Sequence, residues 1–177
     1  MKRGQKTTIL IGLMLIATVW AVGEEKETPI IDIPNAVVIG EGILGGGQPE
    51  ENALRAAADK GYRTIVNLRG PDEKGPFENE EKLVQSLGMD YVALPILGGG
   101  SLNEDNAKLL ADILAKPSAL PAMVHCASGN RVGLLFAMKG FYVDGLDGPV
   151  ALELATAAGA RRVPEQMRAL LAGDADD

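Results

Sequence analysis

The sequence predicts a three-layer α/β sandwich with a mainly parallel central sheet. Helical patterns alternate with short apolar runs along most of the chain, which is typical of this fold class. A second observation is an apolar run that passes through a short glycine-containing loop straight into a helical pattern, at residues 119–142. Ligands of such sheets bind beyond the carboxyl ends of the strands, so we expect the functional site at this loop.

The 177 residues divide into one domain and three flanking segments. Residues 1–23 have a basic start, an apolar run and a small-x-small sequence, which predicts a secretory signal peptide. Cleavage near Gly23 would leave an exported, periplasmic protein, and an uncleaved membrane anchor is the alternative. Residues 24–35 are predicted to be a flexible lead-in, 36–172 a single domain and 173–177 an acidic tail.

The individual elements follow from apolar periodicity and from the residues that begin and end them. Ser101, with Glu104 three residues later, forms a capping box that predicts the start of the third helix. The predicted elements are a hairpin over 36–39 and 42–44, a helix from 49 to a stop at 61, a strand over 62–68, a helix over 79–87, a strand over 89–96, a helix over 101–116, a strand over 119–124, and helices over 132–142, 149–158 and 164–172.

Composition restricts the partners. The net charge is −7, and it becomes more negative without residues 1–23, which carry three basic residues and no acidic ones. This charge argues against nucleic acid as a partner, and we expect membrane contact only if the N-terminal segment is uncleaved. One cysteine and one histidine allow no internal disulfide and no plausible zinc site, so we expect no metal and no cofactor.

The candidate site is the segment from His125 to Arg131, which holds the only cysteine, Cys126, next to the only histidine. At a strand–loop–helix junction, backbone N–H groups and the positive end of the helix dipole converge and attract an anion. These surroundings favour the thiolate form of a cysteine, and an arginine adds a planar fork of donors for two oxygens. The alternative interpretation is a buried structural thiol beside a turn.

The spacing of histidine, cysteine, glycine and arginine resembles the phosphate-binding loop of cysteine-dependent protein tyrosine and dual-specificity phosphatases. Upstream, residues 46–49, 61–69 and 90–95 are similar to the bacterial beta-lactamase-hydrolase-like phosphatase family, a small dual-specificity-like group. The resemblance covers about residues 37–160 and implies a protein tyrosine phosphatase-like fold. It also implies that the protein is a phosphoric monoester hydrolase.

The resemblance assigns roles within the loop. Cys126 would attack phosphorus and form a phosphocysteine, Arg131 would hold phosphate oxygens, and His125 would orient the loop. The phosphate-binding residues it implies are Ala127, Ser128, Gly129, Asn130 and Arg131. The substrate it implies is a phosphorylated small molecule or protein.

The loop departs from the usual pattern of these phosphatases in length. Four residues separate Cys126 from Arg131, where typical members have five, and Val132 follows where a Ser or Thr is usual. Ser128 is the candidate to replace that hydroxyl. A six-residue loop from cysteine to arginine also resembles rhodanese-type sulfurtransferases, in which the cysteine carries a persulfide, and this is the alternative function.

The general acid is the least defined part of the site. Members of the family carry an aspartate after the strand that corresponds to residues 90–95, but here that place is glycine-rich. Asp105 is the candidate, with Glu104 beside it and Asp72 and Glu73 as further possibilities. A protein without a working acid is the basis of a third hypothesis, a degenerate phosphatase that binds phosphorylated ligands without turnover.

Overall fold

The computed structural model describes residues 27–76 and 79–173. The predicted signal peptide, and the acidic tail beyond residue 173, lie outside this part. Five strands form one sheet in the order β1-β2-β5-β3-β4, and only the pair β1 and β2 is antiparallel. The strands are β1 (Val37–Gly40), β2 (Ile43–Gly46), β3 (Thr64–Asn67), β4 (Asp90–Ala93) and β5 (Ala122–His125). The predicted mainly parallel sheet is confirmed.

Helices cover both faces of the sheet, which confirms the three layers. The helices are α1 (Glu51–Asp59), α2 (Glu80–Ser86), α3 (Glu104–Leu114), α4 (Asn130–Tyr142), α5 (Gly148–Ala157) and α6 (Glu165–Ala172). Buried residues of α1 and α2 belong to one core, and those of α3 to α6 belong to the other. None of the described helices has the length and hydrophobicity needed to cross a membrane.

Alternating side chains of the central strands supply both cores. In β3, Ile65 belongs to the core under α1 and α2, and Val66 belongs to the core under α3 to α6. Met123 and Val124 of β5 alternate in the same way. All four are fully buried, because successive residues of a strand point to opposite faces and both faces are covered.

The third helix begins later than its capping box predicts. α3 starts at Glu104, and its N-cap is Asn103, whose side chain accepts a hydrogen bond from Asn106 N at 3.0 Å. Ser101 instead ends a one-turn 3₁₀ helix, and its hydroxyl accepts from Leu97 N at 3.3 Å. The predicted start at Ser101 is therefore wrong, since an asparagine two residues later satisfies the helix N-terminus.

The described part of the predicted flexible lead-in packs against the domain. Ile31 and Ile33 are 2% and 6% exposed and belong to the core under α1 and α2. The carbonyl of Pro34 accepts a hydrogen bond from Gly47 N at 2.6 Å, just after β2. Residues 27–35 thus form one wall beside the end of β2.

β5 occupies the position on which the site depends. It lies between β2 and β3 and runs parallel to both, with His125 in register with Gly46 on one side and Asn67 on the other. The carboxyl ends of three strands therefore meet at the point where the chain leaves β5. The segment that begins at Cys126 starts there, at the middle of the sheet edge.

Candidate active site

The turn from β5 into α4 surrounds the cysteine. Cys126 is a free thiol and only 1% exposed, and its Sγ accepts a hydrogen bond from Gly129 N at 3.1 Å. Gly129 has φ of 87°, in the left-handed region that glycine adopts without strain, and it directly precedes α4. The chain can therefore reverse around the sulfur within four residues and enter the helix at once.

Several donors of this turn have no acceptor within the protein. The N–H groups of Ala127 and Ser128 make no hydrogen bond to any described residue. Asn130 and Arg131 form the first turn of α4, where helix N–H groups have no partner inside the helix. Because the positive end of the helix dipole adds to these donors, the turn has the charge and the free donors that suit an anion.

The carbonyl side of the turn is held by the end of β2. Gln48 N donates to Ala127 O at 3.3 Å, and Cys126 N donates to Gly46 O at 3.2 Å. Gly47 lies between these contacts, and a Cβ atom there would be 3.1 Å from Pro34 O and 3.2 Å from Ala127 O. Only glycine allows so close an approach, which explains the glycines before Gln48.

Two asparagines hold the turn from outside. The Oδ1 of Asn130 accepts from Arg161 N at 2.8 Å and from Arg162 N at 2.9 Å, and its Nδ2 donates to Arg162 O at 3.1 Å. Asn35 Nδ2 donates to Ser128 O at 3.0 Å. The side chain of Asn130 therefore ties the turn to the connection between α5 and α6, and its predicted contact with phosphate is left to its backbone N–H.

Arg131 is fixed by three acceptors. Glu73 binds it with both carboxylate oxygens, at 2.5 Å from Nη1 and 2.6 Å from Nη2. Nη1 also donates to Leu68 O at 3.3 Å and to Ile96 O at 3.2 Å. The hydrogen bonds with Glu73 raise the pKa of Arg131 against the opposing effect of burial, and the charge of the neighbouring Cys126 adds to the rise.

The same contact determines the charge of Glu73. Its hydrogen bonds with Arg131 lower the pKa of Glu73 from 4.5 to about 2, against the effect of burial. Glu73 is therefore a carboxylate at neutral pH and has no proton to give. Glu73 is therefore not the general acid, and its two oxygens orient the guanidinium of Arg131 instead.

His125 has a carboxylate partner of its own. The imidazole is fully buried, and its Nε2 lies 2.8 Å from Oε1 of Glu80, a close contact outside hydrogen-bond geometry. Gln48 Nε2 donates to the other oxygen, Oε2, at 2.6 Å. Burial raises the pKa of Glu80, but the contacts with His125 and Gln48 outweigh it and leave the pKa below its ordinary value.

These contacts connect the two ends of the turn. Arg69 donates to the side-chain oxygen of Gln48, and its Nε lies 3.5 Å from Glu73 Oε2. A continuous polar network therefore links the histidine before Cys126 to the arginine at the start of α4. In order, it runs through His125, Glu80, Gln48, Arg69, Glu73 and Arg131.

The predicted general acid is not joined to this network. Asp105 and Glu104 occupy the first turn of α3, and Glu104 pairs with Lys108 at 2.7 Å on the surface. Within the described residues, neither Asp105 nor Asp72 makes a side-chain hydrogen bond to the turn. Asp105 stays the predicted acid, and Glu104 is engaged elsewhere.

Glu80 and Asn35 were not expected at the site from the sequence, and Glu73 was expected there only as a possible acid. Glu73 lies in a polar turn, and Glu80 stands in the first turn of α2, where an acidic residue is common for its effect on the helix dipole. Gln48 and Arg69 gave the better indication, because each lies two residues after the end of a parallel strand that flanks β5.

Comparison with known proteins identifies the type of domain. A family model described as a DSP-PTPase phosphatase fused to NAD+ kinase (PTP-NADK) matches residues 36–144. Beta-lactamase hydrolase-like proteins of two Xylella fastidiosa strains are 31% identical over 107 residues, which is 58% of this chain and 24% of theirs. The chain thus spans about a quarter of the length of these curated relatives.

Solved structures of phosphatases share the fold. The core catalytic domain of the PP-IP phosphatase Siw14 from S. cerevisiae superposes with a TM-score of 0.63 at 12% identity, over 84% of this chain and 90% of that one. A putative phosphatase (DUF442) from Shewanella putrefaciens gives 0.60 at 18% identity, over 80% and 91%. TpbA from P. aeruginosa in complex with pTyr gives 0.53 at 17% identity, over 78% and 90%. At these identities the likeness shows the fold alone.

The ion pair between Glu73 and Arg131 predicts a specific loss of stability in acid. Because the pKa of Glu73 is lowered from 4.5 to about 2 in the folded protein, its stabilisation is complete above pH 4.5 and is lost as the pH falls towards 2. We expect the Tm of the wild type to fall more steeply in this window than that of Glu73→Gln, measured by circular dichroism. Glu51→Gln, which removes an exposed partner of Arg55 on α1, is the control and should follow the wild type. Parallel curves for the wild type and Glu73→Gln would contradict the assignment.

Proposed function

Because the chain belongs to the family of DSP-PTPase phosphatases described as fused to NAD+ kinase, we propose that it hydrolyses a phosphate monoester through a phosphocysteine intermediate. One observation carries the proposal: the Cys126 sulfur accepts a hydrogen bond from Gly129 N in a turn where the N–H groups of Ala127 and Ser128 have no partner among the described residues, and Arg131 lies in the first turn of the helix that follows. A dianionic phosphoryl group suits such a site, since it offers several oxygens to fixed donors. The substrate class we propose is a phosphorylated small molecule or protein.

The reaction has two steps. The Cys126 thiolate attacks phosphorus, so that a P–S bond forms while the ester P–O bond breaks, and the leaving oxygen takes a proton or departs as its anion. Water then attacks phosphorus, the P–S bond breaks, and inorganic phosphate and the thiolate are released. In both steps, the N–H groups of Ala127 and Ser128 and the guanidinium of Arg131 stabilise the charge on the non-bridging oxygens.

His125 and Glu73 act through their neighbours. The buried contact of His125 with Glu80 fixes the end of β5 and therefore the direction in which Cys126 leaves the strand. Glu73 holds the arginine fork by two oxygens at one edge. We propose both as positioning residues, because neither has to touch the phosphate to affect the rate.

The sulfurtransferase alternative rests on the short spacing from Cys126 to Arg131. It is not favoured, since the family and the structural neighbours are phosphatases. The degenerate binding module differs from an active phosphatase only in turnover. The activity measurement below separates all three.

The function is tested with two substrates and a nucleophile variant. We expect the purified protein to release p-nitrophenol from p-nitrophenyl phosphate and to form no thiocyanate from thiosulfate and cyanide. Cys126→Ser should abolish phosphate release, and Arg131→Lys should lower kcat/KM by at least about a hundredfold, since a point charge does not replace a fork of donors. Arg63→Lys, at the opposite end of β3, is the matched control and should keep the wild-type rate. Thiocyanate formation would show that the protein is a sulfurtransferase instead. No activity in either assay would favour the binding module without turnover.

A second test concerns the predicted acid. Asp105→Asn should lower kcat for phenyl phosphate by about a hundredfold but change kcat for p-nitrophenyl phosphate much less, because a good leaving group needs no proton. Asp112→Asn, an exposed residue of the same helix, controls for the loss of charge on α3. Equal losses with both substrates, or none with either, would remove Asp105 from the mechanism.

A further inference from the structure

Three arginines lie near the Cys126 turn without a carboxylate partner in the part of the chain that the structure describes. Arg161, Arg162 and Arg168 belong to the connection between α5 and α6 and to α6 itself. None forms an ion pair with any residue of the described ranges, although the chain has 24 acidic residues against 17 basic ones. A patch of positive charge on an acidic protein raises the local concentration of anions beside it.

The arginines border an open groove. The groove has a volume of about 630 Å³ and is lined by Arg161 and Arg168, with Asn35 among the residues that complete it. Its lining contains no Asp or Glu. Arginine binds phosphate and carboxylate oxygens through two parallel hydrogen bonds, so the charge and the donors of the groove suit a second anionic group.

The groove is joined rigidly to the turn that holds Cys126. The three hydrogen bonds of the Asn130 side chain fix the backbone of Arg161 and Arg162. Asn35 donates to Ser128 O and accepts a hydrogen bond from the Arg161 guanidinium. The groove and the turn therefore share Asn35, and the backbone of Arg161 and Arg162 is held in a fixed position relative to the turn.

We propose that this arginine groove binds a second anionic group of the substrate, a phosphate or a carboxylate on the molecule whose phosphoryl group enters the Cys126 turn. The inference rests on the proposed function and narrows its substrate class to small phosphate esters that carry a second anionic group. A substrate whose only anionic group is the transferred phosphate contacts only the Cys126 turn. A substrate with a second anionic group also contacts Arg161 and Arg168, so kcat/KM is higher for substrates of this kind alone.

The proposal is tested by the ratio of two specificity constants. We compare kcat/KM for benzene-1,3-diyl bisphosphate and for 3-carboxyphenyl phosphate, each divided by kcat/KM for phenyl phosphate. Because the bisphosphate has two equivalent phosphates, its ratio is about two even without a contact from the second group. The wild type should give at least one ratio well above this value, and the compound with the higher ratio shows whether the second group is a phosphate or a carboxylate. Arg168→Gln and Arg161→Gln should each lower that ratio about tenfold, the cost of one charge-assisted contact. The matched control Arg63→Gln should leave it unchanged.

The outcomes distinguish the groove from the chemistry. Wild-type ratios near one and two, or variants that lower kcat/KM equally for all substrates, would overturn the proposal, since a structural role of Arg161 lowers every rate alike. If the protein hydrolyses none of the three esters, the proposed function is wrong, and the groove is then tested by binding alone. Calorimetry on Cys126→Ser should then give a lower Kd for the bisphosphate than for phenyl phosphate, and Arg168→Gln should raise it about tenfold. Equal Kd values for the two compounds would reject the groove.

Discussion

The hydrogen bonds on the outer side of the turn between β5 and α4 are the constraint from which the rest of the site follows. Three carbonyls of the turn accept hydrogen bonds from the protein: Ala127 O from Gln48 N, Ser128 O from the Asn35 amide, and Gly129 O from the N–H of Gly133 at 3.2 Å. With these carbonyls held by the protein, Gly129 N donates to the Cys126 sulfur, and the N–H groups of Ala127 and Ser128 have no partner among the described residues. The backbone alone therefore supplies donors that suit an anion, before any charged side chain is considered.

Two carboxylates then orient the side chains at the two ends of the turn. Arg131 contacts Glu73, and His125 contacts Glu80. The value of these contacts is orientation, since two oxygens on one edge of a guanidinium fix its plane. The polar network between the two pairs keeps both ends of the turn in one arrangement.

Local patterns in the sequence predicted the layers, the parallel sheet and the strand–turn–helix around Cys126. These features depend on apolar periodicity and on the position of glycine, such as Gly129, within a short stretch of chain. The partners of the turn could not be predicted in this way. Glu73 lies 58 residues from Arg131, and Asn35 lies 93 residues from Ser128. Such contacts arise only when β2, β3 and β5 are placed side by side. The late start of α3 has a local cause. Ser101 and Asn103 can both cap a helix, and the side chain of Asn103 makes the capping hydrogen bond.

In the proposed reaction, the Cys126 sulfur carries a phosphoryl group during turnover. The most direct measurement is rapid acid quench of the protein during hydrolysis of an aryl phosphate, followed by peptide mass spectrometry. A phosphoryl adduct on the peptide that contains Cys126, formed and consumed at the rate of turnover and missing in Cys126→Ser, is the predicted result. Steady phosphate release with an unmodified Cys126 at every time point would contradict the account.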